Sequence, residues 1–239
     1  APTLRDENWR FGNRRQLSFD DYIPAAYADT ENLDISIAGL EQTSAQFLFA
    51  NDSIVHAEAD LPEGVICLPL EDALQQHPDL LEKYFAKSEV KLGSAKFAAL
   101  HIANVQAGLF VYVPKGVEVA KPIECYHVIA GDKSVTFPHT LVITEEHAKV
   151  TVVDYFKSAD ESASLVLAMN DLSAAAGSNL SYTAIQDLNL DSKLISVSSL
   201  NTGRDARVKS FTLNLGAKWV RNESYSTLLE SGAHADMLS

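Results

Sequence analysis

The chain has 239 residues, of which 46% are hydrophobic, so it is long enough to bury one large core or two unequal ones. Its 32 acidic residues outnumber the 19 basic residues, which gives a formal net charge of −13 at pH 7. A surface of this sign repels phosphate backbones and anionic lipid headgroups, so neither nucleic acid nor a membrane is expected as a partner.

The expected compartment is the cytoplasm. The longest apolar-looking stretch, residues 97–113, contains histidine, asparagine and glutamine, so no run reaches the roughly 18 apolar residues of a spanning helix. The N-terminal segment APTLRDENWRFGNRRQL lacks the apolar centre of a signal peptide. Cys67 and Cys125 have no C-x-x-C spacing, which favours two buried thiols in a reducing environment over a disulfide framework or a structural zinc site.

The first hundred residues mix the periods of strands and helices. Apolar side chains alternate over residues 33–67, and QFLFANDSIV predicts a hairpin that turns at Asn51–Asp52. Residues 70–86 have helical spacing, and the proline in their middle predicts two short helices that meet at His77–Pro78. A further helix is predicted over SAKFAALHIAN, with Ser94 as its N-cap.

Beyond residue 108, runs of valine, threonine and tyrosine separated by small and polar residues predict short strands and tight turns. Several of these segments align as one recurring unit, in which a turn and a small or polar pair precede an alternating strand. The aligned strand positions, with separations of 33, 30, 28 and 27 residues, are Val117, Val150, Leu180, Val208 and Ala235. The units also hold a second strand, such as HTLVIT, SASLVLAMN or SKLISVSSLN. Such a repeat indicates a solenoid in which two parallel sheets face each other.

The predicted fold class is mainly β. A parallel β-helix core is expected over residues 108–239, incomplete at its C-terminal end, after a mixed α/β N-terminal domain over residues 1–107. An antiparallel sandwich or a double-stranded barrel of the cupin type is the alternative, since regular strands and turns also suit those folds. Positive φ is expected where glycine marks the corners of the coils, at Gly116, Gly177, Gly203 and Gly232.

Candidate chemistry is sparse in this sequence. Cys125 and His127 are two apart on a predicted strand and so face the same side, where they offer a soft ligand pair to iron or zinc. The alternative is that the cysteine packs as a small hydrophobe and the histidine is hydrogen-bonded inside. Because metals generally take three or four ligands, the pair alone does not define a site, and no catalytic, cofactor-binding or metal residue is assigned.

Other residue types that often carry chemistry have structural interpretations. His139 and His147 are expected at the surface beside turns, and Trp9 and Trp219 are expected to anchor packing. Neither a phosphate-binding loop nor a G-x-S-x-G elbow occurs in the sequence.

Four segments of the chain resemble a known family. ALHIANVQAGLFVYVPKGVEVAKPI is similar to the signature of the SufB/SufD family of iron–sulfur cluster assembly scaffolds, in which a helix leads into a strand and then P-K-G-V-x-V-x-x-P-I. LGAKWVRNE resembles the family's L-G-x-x-x-x-R-N segment, and ESGAHADM the turn that follows it. RDENWRF resembles the acidic-Trp-Arg-aromatic motif of the SufD branch, which the scarcity of cysteine also favours.

The resemblance implies a right-handed parallel β-helix after a mixed N-terminal domain. It also implies a non-catalytic scaffold subunit that acts with a SufB-like subunit and a SufC-like ATPase. A transient iron–sulfur cluster is then expected in the full complex, while no cofactor is assigned to this chain.

The chain departs from the family at its end. Family members continue well beyond the L-G-x-x-x-x-R-N segment, so a truncated chain is expected, without the family's cluster-associated histidine and ATPase-docking helices. An open coil exposes apolar side chains that stabilise by about 1.5–3 kcal/mol each when buried, so a homodimer through the open β-helix end is expected as well.

A second class of function is a parallel β-helix carbohydrate-active enzyme, or a cupin-like small-molecule binder. The enzyme needs several acids and a basic residue that converge on one sheet face. In residues 135–213 the centres of the predicted strands are chiefly apolar or hydroxylic, and the acids fall mostly at turns. The scaffold is therefore the favoured interpretation.

Overall fold

The structure is a computed structural model, and the part of the chain that it describes includes the predicted solenoid. Of RDENWRF it describes only Glu7, Asn8 and Trp9, and residues 33–38 of the predicted alternating segment lie outside it. The described residues are 7–9, 21–26, 39–87, 90 and 92–239.

Strands predominate among the elements. After a short 3-10 turn, the elements in chain order are β1 (Ile23–Pro24), β2 (Ala45–Ala50), β3 (Ser53–Ala59), β4 (Ile66–Pro69), α1 (Leu70–Gln76), α2 (Pro78–Tyr84), α3 (Ala95–Asn104), β5 (Gly108–Val113), β6 (Ile123–Ile129), β7 (Ser134–Thr136), β8 (His139–Thr144), β9 (Lys149–Ser158), β10 (Ser164–Ala174), β11 (Asn179–Asp187), β12 (Lys193–Thr202), β13 (Arg207–Asn214), β14 (Trp219–Leu228) and β15 (His234–Leu238).

These strands form two sheets. Sheet 1 contains β1, β4, β5, β7, β8, β10, β12 and β14, and sheet 2 contains β2, β3, β6, β9, β11, β13 and β15. From β5 onward the chain passes back and forth between the sheets, with β7 and β8 as two consecutive strands of sheet 1 that both pair with β10, and winds a β-solenoid of about five turns. Within the described residues, antiparallel pairing is confined to β2 with β3 and β4 with β5. The solenoid prediction is confirmed, and the antiparallel sandwich or barrel is wrong.

The alignment of the repeats gives the register of sheet 2 over most of its length. Leu180 pairs with Val150 on one side and with Val208 on the other, and Val208 pairs with Ala235. The alignment of Val117 is wrong by two residues, because Glu118 forms an isolated parallel bridge with Lys149. The first unit contributes only this bridge and no continuous strand at that point, so its alternating side chains do not fix its register.

The corners of the coils share one backbone conformation. A residue with positive φ recurs at five of these corners: Gly116 precedes the Glu118 bridge, and His147, Gly177, Asp205 and Gly232 precede β9, β11, β13 and β15. The expectation of positive φ is confirmed for three of the four glycines, while Gly203 lies outside the left-handed region. In that turn Asp205 takes the left-handed position with φ 55°, which aspartate tolerates better than most residues.

The two sheets are covered differently. The main core lies between them, and β12 is buried along nearly its whole length. The outer face of sheet 1 packs against the N-terminal helices, since α1 contacts β5 and α3 contacts β10. In contrast, β11 of sheet 2 alternates between buried and more exposed residues, as expected for a sheet with one open face.

The helices begin and end close to their predicted positions. The break at His77–Pro78 is confirmed, because proline fits the first turn of α2. Ser94 is the N-cap of α3, but its side chain forms no capping bond to its own helix and donates instead to Glu223. No helix among the described ranges is long and apolar enough to cross a membrane.

The segment before residue 107 also contributes to both sheets. The predicted hairpin at Asn51–Asp52 is confirmed as β2 and β3, where β2 pairs in parallel with β6 of the solenoid. Strand β4 pairs with β5. The domain boundary at residues 107/108 stays a prediction.

Candidate functional site

A polar cluster lies inside the solenoid, between the two sheets. Cys125 and His127 are on β6, and Asp154 is the Cα partner of Cys125 on β9. Their side chains face the interior because alternate residues of a strand share a face. Cys125 Sγ and His127 Nε2 are 3.3 Å apart, and one ligand atom from each of the three residues lies within 4.8 Å of the others. All three are buried.

The carboxylate of Asp154 is held by hydroxyl groups from both sheets. Thr140 Oγ1 and Tyr182 OH each donate to Oδ2 at 2.6 Å, and Asn170 Nδ2 donates to the oxygen of Tyr182 at 2.9 Å. Among the described residues, Asp154 Oδ1 has no hydrogen-bond partner. One oxygen is therefore fixed in place while the other remains available.

Burial controls the charge of this cluster. Desolvation raises the pKa of Asp154 to about 6, although the hydrogen bonds from Thr140 and Tyr182 oppose the shift. Burial also raises the pKa of the Cys125 thiol well above its ordinary value and lowers the pKa of His127 to about 3. In the absence of a cation, Cys125 is a neutral thiol and His127 a neutral imidazole at pH 7.

The ring of His127 is fixed by stacking. It lies between Phe49 of β2 and Phe156 of β9, with centroid separations of 5.5 and 5.1 Å and interplanar angles of 15°. These residues are register partners across three parallel strands, so the aromatic ladder follows from the pairing. Stacking of this kind leaves the ring nitrogens at the edge of the ladder, where Nε2 contacts Cys125.

The sequence reasoning found Cys125 and His127 but missed Asp154. The signal was present, because Val150, Val152 and Phe156 occupy the same alternating face of the strand. A carboxylate at the centre of such an apolar face is buried, and a buried carboxylate requires partners. Only the fold shows that those partners come from the opposite sheet and from the neighbouring coil.

A second polar cluster ties α3 to the outer face of sheet 1. His101 Nδ1 lies 2.7 Å from the Leu167 carbonyl oxygen, and His101 Nε2 lies 3.1 Å from His139 Nδ1. His139 Nε2 is 3.5 Å from Asp171 Oδ2. The expectation of a surface His139 is therefore wrong: α3 covers its strand and leaves it fully buried. His147 is exposed at its turn, as expected.

The tautomers of this second cluster follow from its acceptors. Because a carbonyl only accepts, His101 Nδ1 carries a hydrogen, and neutral His101 Nε2 then accepts from His139 Nδ1. Desolvation lowers the pKa of His101 to about 3, which keeps that ring neutral. These buried contacts join α3 to β8 and β10 of sheet 1.

The two motifs at opposite ends of the chain meet on the same sheet. Trp9 is fully buried and stacks on Trp219 at 6.0 Å, and the Arg221 guanidinium lies 3.9 Å from the centre of the Trp9 ring. Arg221 Nε also donates to Glu223 Oε1 at 2.5 Å. The expectation that Trp9 and Trp219 anchor packing is confirmed.

Together, the stacked parallel strands, the polar cluster inside the core and the joined terminal motifs define a two-sheet β-solenoid protein, in which the N-terminal segment adds strands to both sheets and helices to the outer face of sheet 1. Residues 2–125 match the family model of the SufBD protein N-terminal region, and residues 127–239 match that of the SufBD core domain of the SUF system for FeS cluster assembly. The chain belongs to the SufBD family.

Individual relatives agree with this assignment. The iron–sulfur cluster assembly protein SufD of Bacillus subtilis is 26% identical over 208 residues, which cover 84% of this chain and 48% of that protein. A SufBD family protein of Staphylococcus aureus is 30% identical over 84% of this chain and 43% of its own length. One from Synechocystis is 34% identical over 57% of this chain and 29% of its own. The chain thus spans about half or less of each of these relatives.

Proposed function

We propose that this chain is part of a non-catalytic, SufD-like scaffold subunit of a SufBCD complex in iron–sulfur cluster assembly. The observation that supports it most is that family models for both regions of SufBD proteins together match nearly the whole chain, residues 2–125 and 127–239. The partners proposed are a SufB-like subunit and a SufC-like ATPase. The iron–sulfur cluster is the cargo of the complex and is assembled at a subunit boundary. ATP-driven closure of the ATPase shifts this boundary.

The stacked coils of the structure and their exposed faces support a scaffold. Parallel coils stacked in register bury a continuous core, and each coil packs chiefly on its neighbours. Sheet 2 presents a partly exposed outer face, on which Phe211 and Leu213 of β13 are among the exposed apolar side chains. Partly exposed apolar side chains on a regular sheet suit protein contact.

The carboxylates that lie in the sheets give little support to the alternative of a carbohydrate-active enzyme. Glycoside hydrolysis uses a pair of carboxyl groups that flank a substrate. Glu124, Asp154 and Glu223 are instead buried and accept hydrogen bonds from groups of the chain itself. Each of these carboxylates therefore has at least one oxygen engaged in a contact within the protein.

The proposed compartment is the cytoplasm. Cys67 and Cys125 are free and buried, and free thiols are typical of reducing compartments.

Co-purification tests the proposal. The full-length protein, carrying an affinity tag, is co-expressed with the SufB-like and SufC-like proteins of the same organism and purified without oxygen. We expect both partners to be retained in a fixed ratio through size-exclusion chromatography. Recovery of the tagged protein without either partner, while the two partners associate with each other, contradicts the proposal.

A further inference from the structure

The interior cluster brings three different metal-binding groups to one point. Cys125 offers sulfur, His127 offers nitrogen and Asp154 offers oxygen, and their ligand atoms lie within 4.8 Å of one another. Sequence spacing brings together only Cys125 and His127, because Asp154 comes from the next coil. We propose that Cys125, His127 and Asp154 form a binding site for a divalent first-row transition-metal ion inside the solenoid.

The distances fit such an ion. With metal–sulfur and metal–nitrogen bonds of about 2.3 and 2.0 Å, two ligands of a tetrahedral ion lie about 3.5 Å apart. Cys125 Sγ and His127 Nε2 are 3.3 Å apart. The ligand atom of Asp154 lies within 4.8 Å of those of Cys125 and His127, which is at most about 1.3 Å more than the separation of two ligands of a tetrahedral ion. Rotation about side-chain torsions can close this difference.

The groups behind the ligands are arranged as in metal sites. Ligands in such sites are oriented by hydrogen bonds from neighbouring groups. Thr140 and Tyr182 donate to one oxygen of Asp154 and leave Oδ1 without a hydrogen-bond partner among the described residues. Stacking between two phenylalanine rings orients His127. Both ligands are therefore preorganised, and Asp154 Oδ1 is a buried carboxylate oxygen that neither Thr140 nor Tyr182 occupies, so it can bind a cation.

Charge balance favours a divalent ion. A thiolate, a carboxylate and a neutral imidazole carry two negative charges, which one divalent cation neutralises. When the ion binds, the Cys125 sulfur forms the metal bond and its proton passes to the solvent. Mixed sulfur, nitrogen and oxygen ligands suit zinc or ferrous iron.

The site is closed in the folded protein, which determines how it is loaded. All three ligands are at most 4% exposed, so exchange of the ion requires local opening of the coil. We expect the ion to enter while the chain folds and to leave slowly. This inference concerns the chain's own residues and does not depend on the proposed complex.

Cobalt(II) is a suitable probe because its spectrum reports sulfur ligation. The full-length protein is expressed in minimal medium supplemented with Co²⁺ and purified without oxygen or chelator. We expect one Co²⁺ per chain, a thiolate-to-cobalt charge-transfer band in the near ultraviolet, and visible bands of tetrahedral intensity. The near-isosteric Cys125→Ser removes the charge-transfer band, whereas the matched control Cys67→Ser, at the other buried cysteine, retains it.

A further variant probes the supporting hydrogen bonds. Thr140→Val removes one donor to Asp154 and keeps the side-chain shape. Loss of such a supporting contact weakens metal binding about 10- to 100-fold, measured by competition with a chelator. A protein that holds no cobalt contradicts the proposal, as does one that holds cobalt without the charge-transfer band. A band that survives Cys125→Ser also contradicts it.

Discussion

Replacing Glu223 with alanine tests how α3 is attached to the solenoid. Glu223 is buried on β14, where its carboxylate accepts from the Ser94 backbone N–H at 3.1 Å and from Ser94 Oγ at 2.7 Å. It also forms an ion pair with Arg221, whose side chain is only 18% exposed. The carboxylate thus holds the N-cap residue of α3 through its backbone N–H and its hydroxyl, and balances a largely buried positive charge.

The expected cost follows from these contacts. Removal of one partner of a buried ion pair destabilises by about 3–5 kcal/mol, because it leaves an uncompensated charge. The buried donors of Ser94 lose their acceptor as well, at about 1–3 kcal/mol, and this overlaps with the first figure. We expect Glu223→Ala to lower the free energy of unfolding by about 3–5 kcal/mol, against about 5–15 kcal/mol for a whole domain.

Urea unfolding and hydrogen exchange measure the effect. The first-turn amides of α3, residues 95–98, are expected to exchange faster in Glu223→Ala. Glu223→Gln keeps an acceptor for Ser94, so its loss in free energy of unfolding is expected to be smaller than that of Glu223→Ala. In the control, Glu118→Ala breaks an exposed pair with Lys149 and is expected to cost about 0–1 kcal/mol. A loss of less than about 1 kcal/mol in Glu223→Ala refutes the assigned role.

Two further predictions concern stability. Gly177→Ala forces a side chain onto φ 66° and places its Cβ 2.4 Å from His147 Nδ1, whereas Gly116→Ala meets only the strain of φ 74°. We expect the Gly177→Ala variant to unfold at lower urea than the Gly116→Ala variant, and His147→Ala to abolish this difference by removing the clash; equal midpoints of the two glycine variants refute this. Burial raises the pKa of Asp52 from 3.8 to about 6, although a hydrogen bond from the Phe137 N–H opposes this shift. The protonated side chain is therefore favourable to the fold below pH 4, and this stability is lost as the pH rises through 6. Asp52→Asn is therefore expected to gain about 1–3 kcal/mol over the wild type at pH 8 and nothing at pH 4, measured by urea unfolding at both pH values, and an equal gain at both contradicts the assignment.

The repeats could be predicted because strand periodicity and turn residues are local properties. Val150, Leu180 and Val208 recur at positions that the structure pairs, since each unit follows a similar turn. At Val117 the local pattern is insufficient, because only a bridge forms there and the adjacent coil sets its register. Likewise, glycine at residue 203 indicates a turn but does not specify which residue of it has positive φ.

The interior site could be predicted only in part. Spacing along one strand places Cys125 and His127 on the same face, but Asp154 and Thr140 reach them from other strands. Likewise, His139 is buried because α3 lies over it. Contacts between elements far apart in sequence depend on register and docking, which a single sequence does not encode locally.

The role in iron–sulfur cluster assembly is tested most directly in cells. The gene for the full-length protein is deleted from its organism, and the activity of an iron–sulfur enzyme such as aconitase is measured against an iron-independent enzyme. We predict that aconitase activity falls selectively and returns when the full-length gene is restored. Unchanged aconitase activity in the deletion strain, with no other member of the family in that genome, contradicts the account.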